Sequence, residues 1–322
     1  MATVSDDRFV RILEAGPRDG LQNEKTILPV AERVDFIRRL ANAGFKRIEG
    51  GAFVSPKWVP QMAGTAEVLS HLDQSHGNRY PVLTPNSKAL ELFFFTGSQK
   101  YTDEIAVFTA ASESFNKANL NCTIADSVTM LTPVVEQALA KSLRVRGYVS
   151  TVVGCPFEGA VAPERVRELA KILIDLGCYE VSLGDTIGVG NPVTFGRMLN
   201  EVAKDVPLSK LGVHCHDTYG AGVANSLFAV EAGVRAVDCA IAGLGGCPYA
   251  PGAKGNVASE DIIYALHNMG YATGVDLDAA AQVGKWISDR LGRPSASRAG
   301  PALIAKQARD AALAEKAEKA KL

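Results

Sequence analysis

Short β-branched or apolar runs alternate with longer stretches of helical period along nearly the whole chain, and this alternation constrains the fold most. The runs begin near Phe9, Arg47, Arg79, Glu104, Arg144, Tyr179, Leu211 and Ala236, at spacings of roughly 25 to 40 residues. Helical stretches fill the gaps at 30–43, 58–72, 87–95, 124–140, 163–176, 192–203, 221–232 and 257–269. Pro163 and Pro192 open two of them, because the first helical turn does not need the N–H that proline lacks. Gly44, Gly177 and Gly233 follow Ala43, Leu176 and Ala232 and read as C-caps, where glycine adopts the left-handed conformation without a steric cost. Eight βα units with right-handed crossovers close most simply into a parallel (β/α)8 TIM barrel, an α/β fold. An open doubly wound sheet would need the same alternation with fewer strands, and no G-x-G-x-x-G follows the first run. Beyond the eighth unit, 276–291 has the period of an amphipathic helix and 302–322 is an Ala/Lys/Glu-rich helical segment. Residues 1–322 are therefore expected to form a single barrel domain, with 276–322 as a C-terminal helical extension.

The 34 basic and 35 acidic residues leave a formal net charge of −1, and no long block of one sign precedes the C-terminus, so nucleic acid is not an expected partner. The opening MATVSDDRFV has neither a positive region before an apolar stretch nor an Arg-rich leader. No apolar run approaches the ~20 residues of a membrane span, and a cytoplasmic protein without a membrane partner is expected. The six cysteines form no C-x-x-C pair, which argues against a zinc ribbon or a disulfide framework.

A barrel builds its active site at the C-terminal ends of its strands. Arg18-Asp19-Gly20 follows the first strand and Glu14, Glu49 lies on the second, and Gly184-Asp185-Thr186 ends the sixth. His214-Cys215-His216-Asp217 lies on the seventh. Alternation along a strand points His214 and His216 to one face. With Asp19 and Asn256 from the first and eighth units beside them around the closed barrel, they offer two nitrogens and two oxygens around one point. Such a set suits Mg2+ or Mn2+, and zinc on a His-His-Asp set is the alternative. An H-x-H pair on a strand can equally be two satisfied core histidines, and Asn256 can equally cap the following helix. G-P-R-D-G is a poor place for a structural helix and a good one for close substrate approach to Arg18. Glu49 and Asp185 read either as buried acids paired with arginine or as supports of a polar site. The glycine-rich stretch 242–256 reads as a solvent loop or as a lid carrying Cys247.

With these residues in place, the chain closely resembles the 3-hydroxy-3-methylglutaryl-CoA lyase family of TIM-barrel metallolyases, nearly end to end. The most specific segments are GPRDGLQNEK (16–25), FVSPKWVPQM (53–62), SLGDTIGVG (182–190), GVHCHDTYG (212–220) and GLGGCPYAPGAKGNVASED (243–261). The resemblance implies that Asp19, His214, His216 and Asn256 bind the cation and that Arg18 polarises the substrate. It further implies that Glu49 and Asp185 support the site and that Cys247 sits on a mobile loop closing over it. The reaction it implies is retro-Claisen cleavage of an acyl-CoA substrate to acetyl-CoA and acetoacetate, as in leucine degradation and ketone-body formation. A homo-oligomer, dimer or tetramer, is expected. Lyases for citramalyl-CoA or longer 3-substituted esters are the nearest alternatives. A condensing synthase of the isopropylmalate type shares the barrel and the H-x-H but normally carries a further C-terminal domain, and a non-catalytic binding protein would not need the full ligand set. Two departures stand out: Gly50-Gly51-Ala52 where the family usually has Ala/Val-Thr-Ser, and Lys254 before Gly255. The missing hydroxyls lead to the expectation of a roomier pocket that favours a longer 3-substituent.

Overall fold

The structure, a computed structural model, describes residues 8–74, 76–246 and 255–319. Nine strands hydrogen-bond into one sheet. In lateral order they are Arg47–Ile48, Arg11–Glu14, Ala236–Cys239, Leu211–Cys215, Glu180–Asp185, Arg144–Ser150, Glu104–Ala110, Val82–Leu83 and Gly51–Ala52. Every neighbouring pair is parallel. The first and last strands of that order are consecutive in the chain, interrupted only at Glu49 and Gly50. The interruption itself is bonded on both flanks: Glu49 N–H donates to Glu14 O at 2.9 Å and Gly50 N–H to Pro81 O at 2.9 Å. The sheet thus curls until one stretch of chain, 47–52, supplies both of its edges.

Helices follow the strands as the periodicity predicts. Thr123 and Asn191 open Ile124–Ala140 and Pro192–Val202 with reciprocal capping boxes, which satisfy N–H groups a helix start otherwise leaves bare. Gly44, Gly177 and Gly233 have φ of +98°, +108° and +120°, so all three predicted glycine stops adopt a positive φ that a side chain would resist. The 58–72 helix is shorter than expected: Pro60–Met62 forms one 3-10 turn, and Gly64 at φ +71° separates it from Thr65–Ser70. Two elements escaped the periodicity, a helix Glu113–Leu120 capped by Ser112 and a small hairpin of Gly154–Cys155 with Gly159–Ala160. At the C-terminal end Leu277–Leu291 and Ala299–Lys319 are helical, the second beginning ahead of the expected 302 because Pro301 fits a first helical turn. Among the described residues no helix is long and apolar enough to cross a membrane.

The strand Arg144–Ser150 shows how the interior is divided. A Cβ at Gly147 would stand 2.9 Å from Leu173 Cδ1 on the surrounding helix Pro163–Asp175, so the odd positions face the helices and Arg146 and Tyr148 face inward. The inside of the sheet is consequently polar. Arg146, fully buried, donates from Nε to Glu180 at 2.8 Å and from both Nη atoms to Asp238 at 2.9 and 2.8 Å. Arg11 adds a 2.8 Å bond to the other Glu180 oxygen.

Candidate metal centre and substrate pocket

The first strand stops at Glu14, and Arg18 and Asp19 stand on the turn beyond it. Gly20 N–H donates to Ala15 O at 3.1 Å, a bond spanning five residues that makes Gly16–Gly20 one π-helical turn. The expectation that G-P-R-D-G avoids helical structure is corrected here. Widened turns of this kind concentrate at functional sites. Its glycines are needed for close packing, since a Cβ on Gly16 would lie 2.5 Å from Glu14 Oε1 and one on Gly20 2.7 Å from Leu244 Cβ.

Arg18 is buried in the wall of the pocket. Its Nε and Nη2 donate to the two carboxylate oxygens of Glu49 at 2.8 and 2.9 Å, and Nη1 donates to Asp19 Oδ1 at 2.8 Å. The Tyr148 hydroxyl donates to Glu49 from a third side at 3.0 Å. Burial works against the guanidinium charge, but Glu49 and Asp19 overcome it and hold Arg18 protonated above its ordinary range. Three of the five N–H bonds of a guanidinium are engaged in this way, so two remain for a ligand.

His214 and His216 point the same way, with ring centroids 5.5 Å apart. His214 Nε2 lies 3.8 Å from Asp19 Oδ2, and Asp19, His214 and His216 offer ligand atoms all within 4.8 Å of one another. Burial would raise the Asp19 carboxyl, yet Arg18 and the two histidines hold it down at about 2. Asn256 meets His216 through a backbone bridge. Its Nδ2 donates to Asp19 Oδ2 at 2.8 Å and to Leu244 O at 2.9 Å, which leaves Oδ1 buried without a partner. The helix Ser259–Asn268 takes Ala258 as its N-cap residue, so Asn256 does not cap it. An amide oxygen orphaned beside a carboxylate and two imidazoles costs stability unless something accepts its lone pairs. A divalent cation does so, and a donor set without thiolate fits one.

The other predicted residues fall into different places. Asp185 ends Glu180–Asp185, but its carboxylate turns back on its own loop and accepts N–H bonds from Gly190 at 2.8 Å and Val189 at 3.2 Å. Burial pushes its carboxyl up to about 6 against those donors. It shapes the loop rather than lining the pocket. Glu49 stands behind Arg18 in the same supporting sense. Cys247 and Lys254 lie outside the described residues. Gly246, the neighbour of Cys247, lines the pocket and accepts a 3.0 Å bond from Asn23 Nδ2.

The expectation for Gly50-Gly51-Ala52 is corrected at Gly50 and Gly51. A Cβ at Gly51, where φ is +142°, would lie 2.6 Å from Thr65 Oγ1, and one at Gly50 would lie 2.8 Å from Leu69 Cδ2. Both directions lead to the helix Thr65–Ser70, away from the pocket. Thr65 occupies the space itself, its hydroxyl donating to Met62 O at 2.8 Å. Apolar lining is supplied instead by Leu83, Phe108 and Phe115, and Asn119 also lines the pocket. The sequence reading missed these, and it missed Tyr148 and Asp238. The signal for Tyr148 was the run of polar residues at every second position, Arg144, Arg146, Tyr148 and Ser150, in a strand both of whose faces are covered, and for Asp238 a lone acid inside the apolar strand Ala236–Cys239.

Comparison with known proteins agrees with this geometry. The HMGL-like family profile matches residues 9–287. The hydroxymethylglutaryl-CoA lyase of Pseudomonas mevalonii is 53% identical over 301 residues, covering 94% of this chain and 99% of that protein. The crystal structure of hydroxymethylglutaryl-CoA lyase from Pseudomonas aeruginosa superposes with a TM-score of 0.89 at 49% identity, covering 93% of this chain and 98% of that one. An HMG-CoA lyase from Acinetobacter baumannii, solved with coenzyme A and 3-methylmalate, gives a TM-score of 0.86 at 36% identity over 92% of this chain and 95% of that one.

Proposed function

Because the chain belongs to the HMGL-like family, we propose that its pocket cleaves 3-hydroxy-3-methylglutaryl-CoA into acetyl-CoA and acetoacetate, with a divalent cation held by Asp19, His214, His216 and Asn256. The observation that carries this reading is the buried, unpartnered Asn256 Oδ1 converging with Asp19 and two histidines beside a guanidinium that has two N–H bonds left to give. The oxygen-rich, thiolate-free set favours Mg2+ or Mn2+. Counting 47–52 as one strand, we read the sheet as a closed eight-stranded barrel, and 1–322 as a single domain with 276–322 as its C-terminal helical extension. The cytoplasm, an acyl-CoA substrate and a homo-oligomer complete the proposal.

Retro-Claisen cleavage requires loss of the C3 hydroxyl proton and stabilisation of the thioester enolate that departs. A bound cation supplies acidity and orientation to the hydroxyl. Arg18 does the second task. It lines the pocket with two N–H bonds uncommitted, and Glu49, clamped by Tyr148, fixes the plane of the guanidinium, so the charge is in place before the enolate forms. Leu83, Phe108 and Phe115, which line the same pocket, supply apolar surface that keeps water from a carbanion-like intermediate. Cys247 follows Gly246 of the pocket wall in sequence, and its thiol is the proposed proton donor to the enolate carbon.

The test is release of acetyl-CoA from a panel of 3-hydroxy-acyl-CoA esters with Mn2+ or Mg2+ present. Since the glycines at 50 and 51 open no space toward the pocket, the 3-methyl ester is expected to have the highest kcat/KM, above citramalyl-CoA and longer 3-substituted esters. Failure of every ester to yield acetyl-CoA would overturn the assignment.

A further inference from the structure

We propose that Asp238 is a positioning residue for the metal centre, holding His214 as the Nδ1–H tautomer so that Nε2 presents its lone pair to the cation; this rests on the cation site proposed above. The two ring nitrogens of His214 face different carboxylates. Nε2 is 3.8 Å from Asp19 Oδ2 and Nδ1 is 3.5 Å from Asp238 Oδ2. Both carboxylates only accept, but Asp238 is the nearer and Asp19 belongs with Nε2 to the proposed cation site, so the hydrogen is assigned to Nδ1 and Nε2 is left bare for the ion. Asp238 cannot rotate away. Arg146 grips both of its oxygens at 2.9 and 2.8 Å, and the Ser182 hydroxyl donates to Oδ2 at 2.7 Å. Arg146 is fixed in turn by Glu180, and Tyr148 stands edge-on to the His214 ring at 6.4 Å and 87°.

His216 has no such backing. Neither Nδ1 makes a hydrogen bond of ordinary geometry, but that of His214 faces the Asp238 carboxylate at 3.5 Å, and among the described residues no carboxylate faces that of His216 in this way. The asymmetry means that the two imidazoles contribute differently: His214 arrives with tautomer and ring plane set by a saturated ionic cluster, while His216 is oriented by its backbone position and by the ion. Carboxylate partners of ligating histidines affect metal affinity strongly, through orientation and ligand basicity.

The experiment is calorimetric titration of the metal-stripped full-length protein with MnCl2, together with two-bond 1H–15N correlation of its histidine rings. Asp238→Asn should raise the Kd for Mn2+ by about tenfold or more, and Ser182→Ala, which keeps the Arg146 pair and so the fold, by about threefold. Glu180→Gln disturbs the same Arg146 at a carboxylate that does not touch His214, and it should leave the Kd within about twofold even where Tm falls. The ring correlations should place the His214 proton on Nδ1 in the wild type, and this pattern should be lost in Asp238→Asn. Wild-type affinity in both Asp238→Asn and Ser182→Ala, or an equal loss in Glu180→Gln, overturns the proposal. So does an Nε2–H tautomer in the metal-stripped wild type. If the wild type does not bind Mn2+, the cation site itself fails, while the ring correlations still decide which tautomer Asp238 selects.

Discussion

Two arginines are buried inside the sheet, and their surroundings differ in one respect. Arg146 has three N–H bonds engaged, as Arg18 does, but its partners form a closed cluster: Glu180 and Asp238 take its Nε and both Nη atoms, Ser182 donates to Asp238 with His214 Nδ1 3.5 Å away, and Arg11 completes Glu180. Arg18 is held by Glu49 and Asp19, and around it Asn256 Oδ1 and the Nδ1 atoms of His214 and His216 stand buried without hydrogen-bond partners. A saturated buried ion cluster fixes geometry, whereas an unsaturated one stores unmet hydrogen-bonding capacity that a ligand can answer. The same residue type therefore does structural work in one place and chemical work in the other.

Exchanging each arginine for methionine is the sharpest way to break that comparison. Arg146→Met leaves Asp238 and Glu180 buried without their main partner and should cost about 3–5 kcal/mol of unfolding free energy, read by urea denaturation. Arg18→Met should leave folding less affected but lower kcat by at least about 3 kcal/mol in barrier terms, the scale of one oxyanion donor, with KM little changed. If Arg18→Met altered KM alone, Arg18 would be a binding residue and the contrast would lose its chemical half.

A third pair of buried groups sharpens the comparison through pH. Glu14 and Glu260 accept N–H bonds from Ile241 and Ala242 at 2.9 Å each and, among the described residues, have no cationic side chain paired with them. Burial raises Glu14 to about 7 and Glu260 to about 8 from an ordinary 4.5. The folded state then holds these protons more tightly than the unfolded state does, so their contribution is full below about pH 4.5 and is lost as pH climbs toward 8. Glu260→Gln should flatten this decline by of order a few kcal/mol between those limits. An unchanged pH profile of stability in Glu260→Gln would mean that the acid is ionised in the fold.

The smallest effect concerns the glycines of the second strand. Gly51→Thr should destabilise the protein by about 1–3 kcal/mol, the cost of a side chain in a strained backbone region, and leave the order of preference among acyl-CoA esters unchanged. A shift in that order would return 50–52 to the pocket wall.

Much of the framework was legible in sequence because it rests on local signals. Strand starts, helix periods and the stops at Gly44, Gly177 and Gly233 need only neighbouring residues, and so does the common face of His214 and His216. What escaped depends on contacts between distant parts of the chain. Arg18 and Glu49 are 31 residues apart, Tyr148 and Glu49 are 99 apart, and Arg146 and Asp238 are 92 apart. The Gly51 reading failed for the same reason, since Thr65 fills its space from another element. The π-helical turn at Gly16–Gly20 is local, but its stability comes from Leu244 and Glu14 packed against its glycines.

The central claim is that Asp19, His214, His216 and Asn256 assemble a cation site without which the pocket cannot break the substrate's carbon–carbon bond. Acetyl-CoA release from 3-hydroxy-3-methylglutaryl-CoA by chelator-stripped protein, before and after stoichiometric Mn2+, tests it most directly. The account predicts no turnover in the stripped protein, recovery on adding Mn2+, and no recovery at that Mn2+ level in His216→Ala. Full turnover by the stripped protein, or recovery of His216→Ala to the wild-type rate, would contradict it.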